Sequence, residues 1–291
     1  MRDSLQNTLE TFLNSSFPHE TYARLDADAQ SLLQWKPLEG LSTTLSKTIS
    51  PSLHSHYSIG LPQKNSVGLI YQSNQQLLYG RLFQDAKLEA LMAHRYSPQW
   101  LLMLSGVSFL SRPGSFAHVQ GIYAPWRHWT CVFDYHSTDQ VIGLNHLYSF
   151  SSIPLSLGGE CYYSAKEKSG GFSLGMSFKE RFQKGAYQTW TALLNPMMGH
   201  FSSSFTTLIA QDCQVATQYA FNYYSLVSDL AIGLAYAPRD KDQSIKARWS
   251  LSKGLGLGFE ARFGDVVTEW GLETDLHGPR PRSTIGLTIQ M

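Results

Sequence analysis

The amino-acid sequence predicts an all-β fold, a transmembrane β-barrel of about 19 strands preceded by a short amphipathic helix. Three observations predict it. Beyond Trp35, apolar and polar residues alternate with a period of two almost to the last residue, the pattern of strands with one apolar and one polar face. The alternating runs often reach roughly 9–11 residues, the length of a tilted membrane-crossing strand, where globular strands average about 5–6. Only 15% of the 291 residues are charged, with 13% aromatic, against about 25% charged in an average soluble protein. Yet the longest uninterrupted apolar run is Trp100–Leu104, far short of the ~18 residues a spanning helix needs.

The same figures exclude other classes. A formal net charge of +1 offers no basic face for nucleic acid, and aromatic and aliphatic residues are too plentiful for disorder. Cys131, Cys161 and Cys213 are odd in number and in no C-x-x-C spacing, so neither a disulfide framework nor a zinc site is expected. The N-terminus shows no basic stretch followed by an apolar core, so no secretory signal peptide is expected. Asp3 and Glu10 interrupt a segment whose only basic residue is Arg2, which argues against a mitochondrial presequence.

From the start of the chain, Leu5, Leu9, Phe12 and Leu13 recur at helical spacing within Arg2–Phe17. Pro18 ends that helix, because it disfavours helical geometry in the residue before it. Residues 1–34 are read as this helix and a lead-in segment, and residues 35–291 as the barrel, with no composition break to mark another domain. Leu53, Tyr57, Ile59 and Leu61 alternate with His54, His56, Ser58 and Gly60. Phe172, Leu174, Met176 and Phe178 alternate with small residues, and Leu230, Ile232, Leu234 and Tyr236 do the same. Turn clusters such as Pro62–Asn65, Ser137–Asp139, Lys166–Gly171 and Gly264-Asp265 separate the runs.

The two faces differ near the C-terminal end. Ile245, Ala247, Trp249, Leu255, Leu257, Phe259, Trp270 and Leu272 share one face; Lys246, Arg248, Glu260, Arg262, Glu269 and Glu273 share the other. In a membrane barrel the apolar face meets lipid and the polar residues line the lumen. With a two-residue turn at Gly264-Asp265, Glu260 and Glu269 stand opposite each other. Side-by-side carboxylates repel, so Lys246 and Arg262 are expected to complete a charge network on the lumen wall. The interior as a whole is expected to be polar.

Several motifs carry no chemistry. Gly171-Phe172-Ser173-Leu174-Gly175 matches G-x-S-x-G, but that serine must sit on a sharp strand-to-helix turn, and Ser173 lies inside an alternating strand. Gly254, Gly256 and Gly258 are not a dinucleotide fingerprint; they read as small residues on a crowded lumen face. His54 and His56 share a face but have no third ligand at a useful spacing. No catalytic residue, cofactor or metal site is expected.

The end of the sequence is more specific. Thr284-Ile285-Gly286-Leu287-Thr288-Ile289-Gln290-Met291 fits polar-x-Gly-x-x-apolar-x-apolar without a gap. It resembles the β-signal read by the mitochondrial sorting and assembly machinery (SAM), with Thr284, Gly286, Ile289 and Met291 at its defining positions. This supplies an address for a barrel with no leader.

Further blocks extend the resemblance. Leu78-Tyr79-Gly80-Arg81, Leu88-Glu89-Ala90-Leu91, Arg95, Ser97-Pro98 and Gly106-Val107-Ser108 are similar to the mitochondrial distribution and morphology protein 10 family of fungi. So are Asn195-Pro196, Gly199-His200, Ser202-Ser203 and Tyr219-Ala220-Phe221-Asn222 with Tyr224-Ser225. The order and spacing hold from about Trp35 to the last residue. The resemblance implies a 19-stranded barrel like that of the voltage-dependent anion channel, with an N-terminal helix in the lumen. It implies a non-enzymatic, multi-pass protein of the mitochondrial outer membrane, in contact with membrane lipid. There it would anchor the ER–mitochondria encounter structure (ERMES), tethering the two organelles and supporting phospholipid exchange. It would also join SAM in late assembly of the outer-membrane translocase (TOM). The implied partners are the other ERMES subunits, the SAM core barrel and TOM precursors. Tyr71 matches an aromatic presented to ERMES partners, although the position two residues earlier is Leu69. Tyr219 and Phe221 match the pair that docks to SAM. An anion-channel-type metabolite or ion pore is the alternative reading.

Replacing Gly286 and Ile289 with aspartate is expected to block membrane assembly, measured as loss of carbonate-resistant protein in isolated mitochondria. Normal insertion of that variant would sink the β-signal reading.

Overall fold

The computed structural model describes residues 12, 20–35, 41–61, 65–109, 114–181, 186–210, 212–238, 243–252, 254–263, 266–274 and 282–290. Among these are nineteen strands in one sheet. In chain order they are β1 (Leu41–Ser50), β2 (Leu53–Leu61), β3 (Ser66–Gln72), β4 (Gln76–Phe83), β5 (Lys87–Ser97), β6 (Trp100–Phe109) and β7 (Phe116–Trp126). There follow β8 (Trp129–His136), β9 (Val141–Ser149), β10 (Leu155–Ser164), β11 (Ser169–Arg181), β12 (Tyr187–Asn195) and β13 (His200–Ala210). The last six are β14 (Cys213–Asn222), β15 (Val227–Tyr236), β16 (Gln243–Ser250), β17 (Gly254–Phe263), β18 (Val266–Thr274) and β19 (Arg282–Gln290).

Each strand pairs antiparallel with its neighbours in sequence. The ends of the meander pair with each other as well: β1 and β19 run parallel, from Leu41 opposite Ile285 to Ser46 opposite Gln290. An odd meander can close only this way, because its first and last strands point in the same direction. The β1–β2 turn and every second turn after it form one rim, here the first; the remaining turns form the second.

Alternation in sequence becomes alternation across the wall. On β3, Ser66, Gly68 and Ile70 are buried while Val67, Leu69 and Tyr71 are exposed. The exposed set continues around the outside with Leu82, Leu144, Leu174, Ile232, Leu257 and Leu272. Such an unbroken apolar exterior is unfavourable in water and matches lipid. Aromatic residues gather at the first rim: Trp100 stacks on Tyr123 at 4.3 Å between ring centroids, and Trp126 lies 5.7 Å from Trp129. Such belts mark the depth of a bilayer interface. No helix among the described residues is long and apolar enough to cross a membrane.

The interior departs from the uniformly polar lumen that alternation predicts. Toward the first rim the inward face of β3–β8 is apolar, with Ile70, Leu77, Tyr79, Ala93, Leu101, Ile122, Ala124 and Val132 buried in a cluster with Phe12, while Arg81, Gln120 and Asp134 keep the other half of those strands polar. The Trp100–Leu104 run is apolar throughout for that reason. Leu101 and Met103 pack inward on this cluster, while Trp100 and Leu104 face out. Of the helix expected over Arg2–Phe17, only Phe12 lies within the described residues; it is helical and 1% exposed.

A second helical stretch, not anticipated, lies in the lead-in segment. A 3-10 turn over Tyr22–Arg24 is followed by α1 (Ala27–Leu33). Its Ala29, Leu32 and Leu33 share one face, as i, i+3, i+4 spacing dictates. The segment from Glu20 to Trp35 crosses the inner wall as a strap. Tyr22 and Leu25 pack on Leu147 and Leu193, and α1 packs on Ala216, Ala231 and Ala235. Trp35 lies flat over Gly258.

The wall under the strap is built of small residues because the strap needs the room. A Cβ at Gly175 would stand 2.8 Å from Tyr22 and 3.0 Å from Leu25; one at Gly258 would stand 2.2 Å from the Trp35 ring. Thr130 Oγ1 donates to the Glu20 carbonyl at 2.7 Å, and Lys179 Nζ to Glu20 Oε1 at 2.9 Å. That ion pair is 34% and 48% exposed, so it contributes under ~1 kcal/mol. Each buried leucine contributes about 1.5–3 kcal/mol, and apolar packing therefore dominates the docking of the strap.

Burial and the nearby Glu160 carboxylate push the Tyr22 phenol up to about 12. A folded-state pKa above the unfolded value means stabilisation that is complete below pH 10 and lost as pH rises from about 10 to 12. Protease sensitivity of the strap is expected to rise across that window, and Tyr22→Phe to remove most of the rise. An equal rise in the variant would assign it to other groups.

Candidate partner faces and the lumen wall

Asparagine-containing turns organise the second rim. The β12–β13 turn begins with Asn195, whose Oδ1 accepts the Met198 N–H at 2.9 Å. The β14–β15 turn begins with Asn222, whose Oδ1 accepts the N–H groups of Tyr224 and Ser225, each at 3.0 Å. Asparagine suits both sites because its side chain mimics a backbone turn. The two turns then interlock: Asn222 Nδ2 donates to the Met198 carbonyl at 3.0 Å, the Tyr223 N–H donates to the Gly199 carbonyl at 2.8 Å, and the Tyr223 hydroxyl donates to the Pro196 carbonyl. Gly199 has φ +66°, and a Cβ there would lie 2.3 Å from the Tyr224 ring. Glycine is required on both counts.

This corner fixes the strand that carries Tyr219 and Phe221. Both side chains point outward on β14, on the face opposite the strap-bearing Ala216. Tyr219 is 44% exposed, and beside it the turns expose Met197, Met198, Tyr224 and Leu226. Tyr71 also points outward, on β3, opposite Leu53 and Leu78. It sits near the first rim, on the other side of the barrel from Tyr219. The two aromatic faces are thus separated both around the wall and across the membrane.

On the lumen wall, Glu260 and Glu269 are direct cross-strand partners, as the sequence predicts. Ser244 Oγ donates to Glu260 Oε2 at 3.4 Å. Lys246 is opposite Gly258, one diagonal step from Glu260, and Arg262 is opposite Val267. The same wall also carries an ion pair between Arg248 and Glu273. Arg248 is 6% exposed and folds over Gly256, where a Cβ would come within 2.8 Å of Nε. Alternation had put both residues on the lumen face; what it could not show is that Gly256, the cross-strand partner of each, leaves room for the guanidinium to reach across it. Gly256 and Gly258 of β17 are accounted for by the side chains above them, and Gly254 by its φ of +79°.

The β-signal-like segment is β19, whose two edges are both paired. Gly286 is opposite Glu269 on β18 and Ser42 on β1; Ile289 is opposite Val266 and Leu45; Thr284 is opposite Gly271. Met291 lies outside the described residues. Ser173 faces inward, where Asn195 Nδ2 donates to it at 3.1 Å. Among the described residues no three His, Cys, Asp or Glu side chains converge as metal ligands. His54 instead bonds Thr48 at 3.1 Å and His56 stacks on Tyr79 at 5.8 Å between centroids.

Residues 62–253 match the family model described as mitochondrial distribution and morphology protein 10. The chain belongs to that family. The protein of that name from Yarrowia lipolytica is 26% identical over 347 aligned residues, covering 98% of each chain. The Schizosaccharomyces pombe one is 27% identical, covering 69% of this chain and 63% of its own. The Podospora anserina one is 32% identical over 197 residues, covering 56% of this chain and 42% of its own. Family membership supports a role in mitochondrial distribution and morphology. The matched span holds both interlocked turns of the second rim and the outward aromatics on β3 and β14.

Glu273→Gln is expected to lower stability by about 2 kcal/mol. Breaking a buried pair costs ~3–5 kcal/mol, and the solvent access Glu273 retains reduces the loss. Chemical unfolding in micelles, followed by tryptophan fluorescence, measures it. Arg248→Met combined with Glu273→Leu should recover most of the loss, as no uncompensated charge remains.

Proposed function

We propose that this barrel is a non-enzymatic anchor in the mitochondrial outer membrane, the fixed point of ERMES at ER–mitochondria contacts, where it supports phospholipid exchange. A second role follows from the same family: joining SAM during late TOM assembly and β-barrel biogenesis. Family membership together with a lumen crossed by a packed strap carries this reading. A scaffold has no need of an open pore, and the strap here is held by buried leucines and aromatic rings.

The placement of the outward aromatics supports two separate docking faces. Tyr71 serves ERMES partners near one rim; Tyr219 and Phe221 serve SAM near the other, next to the uncharged turn residues Met197, Met198 and Leu226. Aromatic and methionine side chains on a rigid support are suited to such contacts. The β-signal residues Thr284, Gly286, Ile289 and Met291 direct insertion. Lys246, Glu260, Arg262 and Glu269 act on the lumen wall as a structural charge network and take no part in docking.

Affinity isolation from mitochondria tests the reading. Tyr71→Ala should reduce recovery of ERMES subunits and leave SAM, whereas Tyr219→Ala with Phe221→Ala should do the reverse. Recovery of neither complex with the unmodified chain would overturn it. Large, voltage-gated conductance in a planar bilayer would favour the channel alternative.

A further inference from the structure

Within the barrel, Asn145 of β9 and Glu160 of β10 are direct cross-strand partners on the lumen face. Asn145 is 3% exposed. Its Nδ2 donates to Asp134 Oδ2 at 3.1 Å, which turns its Oδ1 away from Asp134, and that buried oxygen has no hydrogen-bond partner. No described residue donates a hydrogen bond to the Glu160 carboxylate either. Two acceptors therefore stand on opposite residues, and the buried Asn145 oxygen, left unmatched, costs ~1–3 kcal/mol. Asp134 cannot relieve it, because its own oxygens already accept from His118 Nε2 at 3.2 Å, Gln120 Nε2 at 2.7 Å and Asn145.

Two hydroxyl oxygens complete the patch. Ser173 is the partner of Glu160 on β11, and the Tyr22 ring of the strap lies over Gly158 and Gly175, the next inward positions beside Glu160 and Ser173. Four oxygen-bearing side chains from three strands and the strap thus meet, with Asp134 adding negative charge behind them.

We propose that Asn145, Glu160, Ser173 and Tyr22 form a lumenal site for a hard divalent cation, Ca2+ by its donor chemistry. All donors are oxygens: a carboxylate able to bind through both atoms, an amide carbonyl and two hydroxyls. Ca2+ takes 6–8 oxygen ligands in adaptable geometry and completes its shell with water, whereas Mg2+ demands a tighter octahedron. Softer metals prefer nitrogen and sulfur ligands, and no cysteine faces this patch. A site with one carboxylate in contact falls at the weak end of the Ca2+ range, with Kd about 10−4–10−3 M. Since Tyr22 belongs to the strap, an occupied site ties the strap to the β9–β11 wall, beyond the docking roles above and independent of them.

The full chain refolded in micelles and titrated with Tb3+, a luminescent stand-in for Ca2+ that tyrosine sensitises, tests the site. A saturable signal displaced by millimolar Ca2+ is expected. Glu160→Gln should weaken binding about tenfold or more, and Asn145→Asp, which keeps the side-chain shape and adds a charge, should tighten it by a similar factor. Circular dichroism checks that each variant folds. No Ca2+-displaceable signal, or a signal that neither substitution shifts, overturns the proposal. Because the two variants should move affinity in opposite directions, a failure of one to fold leaves the other decisive.

Discussion

Closure of the backbone ladder is the constraint on which the rest of the structure depends. Lipid offers no hydrogen bonds, so every N–H and C=O at membrane depth must find a partner within the wall, and an open sheet edge is excluded. With nineteen strands in a simple meander, the closing pair must be parallel. Here β19 supplies it, with one edge on β18 and the other on β1. The segment that resembles a β-signal is thus also the strand that seals the ring. The motif Thr284–Met291 and the closing strand Arg282–Gln290 overlap over residues 284–290.

Closure creates an interior, and the interior has two characters. Over the half of β3–β8 nearest the first rim it is an apolar cluster around Phe12; elsewhere polar side chains such as Arg81 and Asp134 line the wall, and the strap crosses it. The strap governs the small residues of the facing strands, since Gly158, Gly175, Gly233 and Gly258 each lie under one of its side chains. Glycine in a strand is ordinarily unfavourable. In this barrel the loss is offset by burial of Tyr22, Leu25, Leu32, Leu33 and Trp35 against the exposed backbone. The lumen is filled through complementary shape, with the charged groups left to the remaining wall.

In the proposed reading, recognition falls to the outside of the barrel. Tyr71, Tyr219 and Phe221 are outward residues on rigid strands, and the corner made by Asn195, Gly199 and Asn222 holds the second pair in place without contributing to the apolar face itself. A scaffold protein needs this division: polar side chains spent inside turns on their own backbone, aromatic and methionine side chains left outward.

The approximate strand number and the strand faces were legible in the sequence, because a period of two maps directly onto lipid-facing and lumen-facing sides. The Glu260–Glu269 register was legible as well, since a two-residue turn fixes pairing by counting. The apolar half of the lumen was not, for an inward leucine and an outward leucine look alike in a strand. α1 was missed because seven residues give too short a helical pattern to stand out before the alternation begins. Nor could spacing find Asn145 opposite Glu160, or Arg248 reaching Glu273. Those meetings depend on registers summed across successive strands and on glycines that let long side chains lie flat. The sequence by itself determined the wall, because the wall is local and periodic; the tertiary structure alone decided what fills it, because that depends on contacts between segments far apart in the chain.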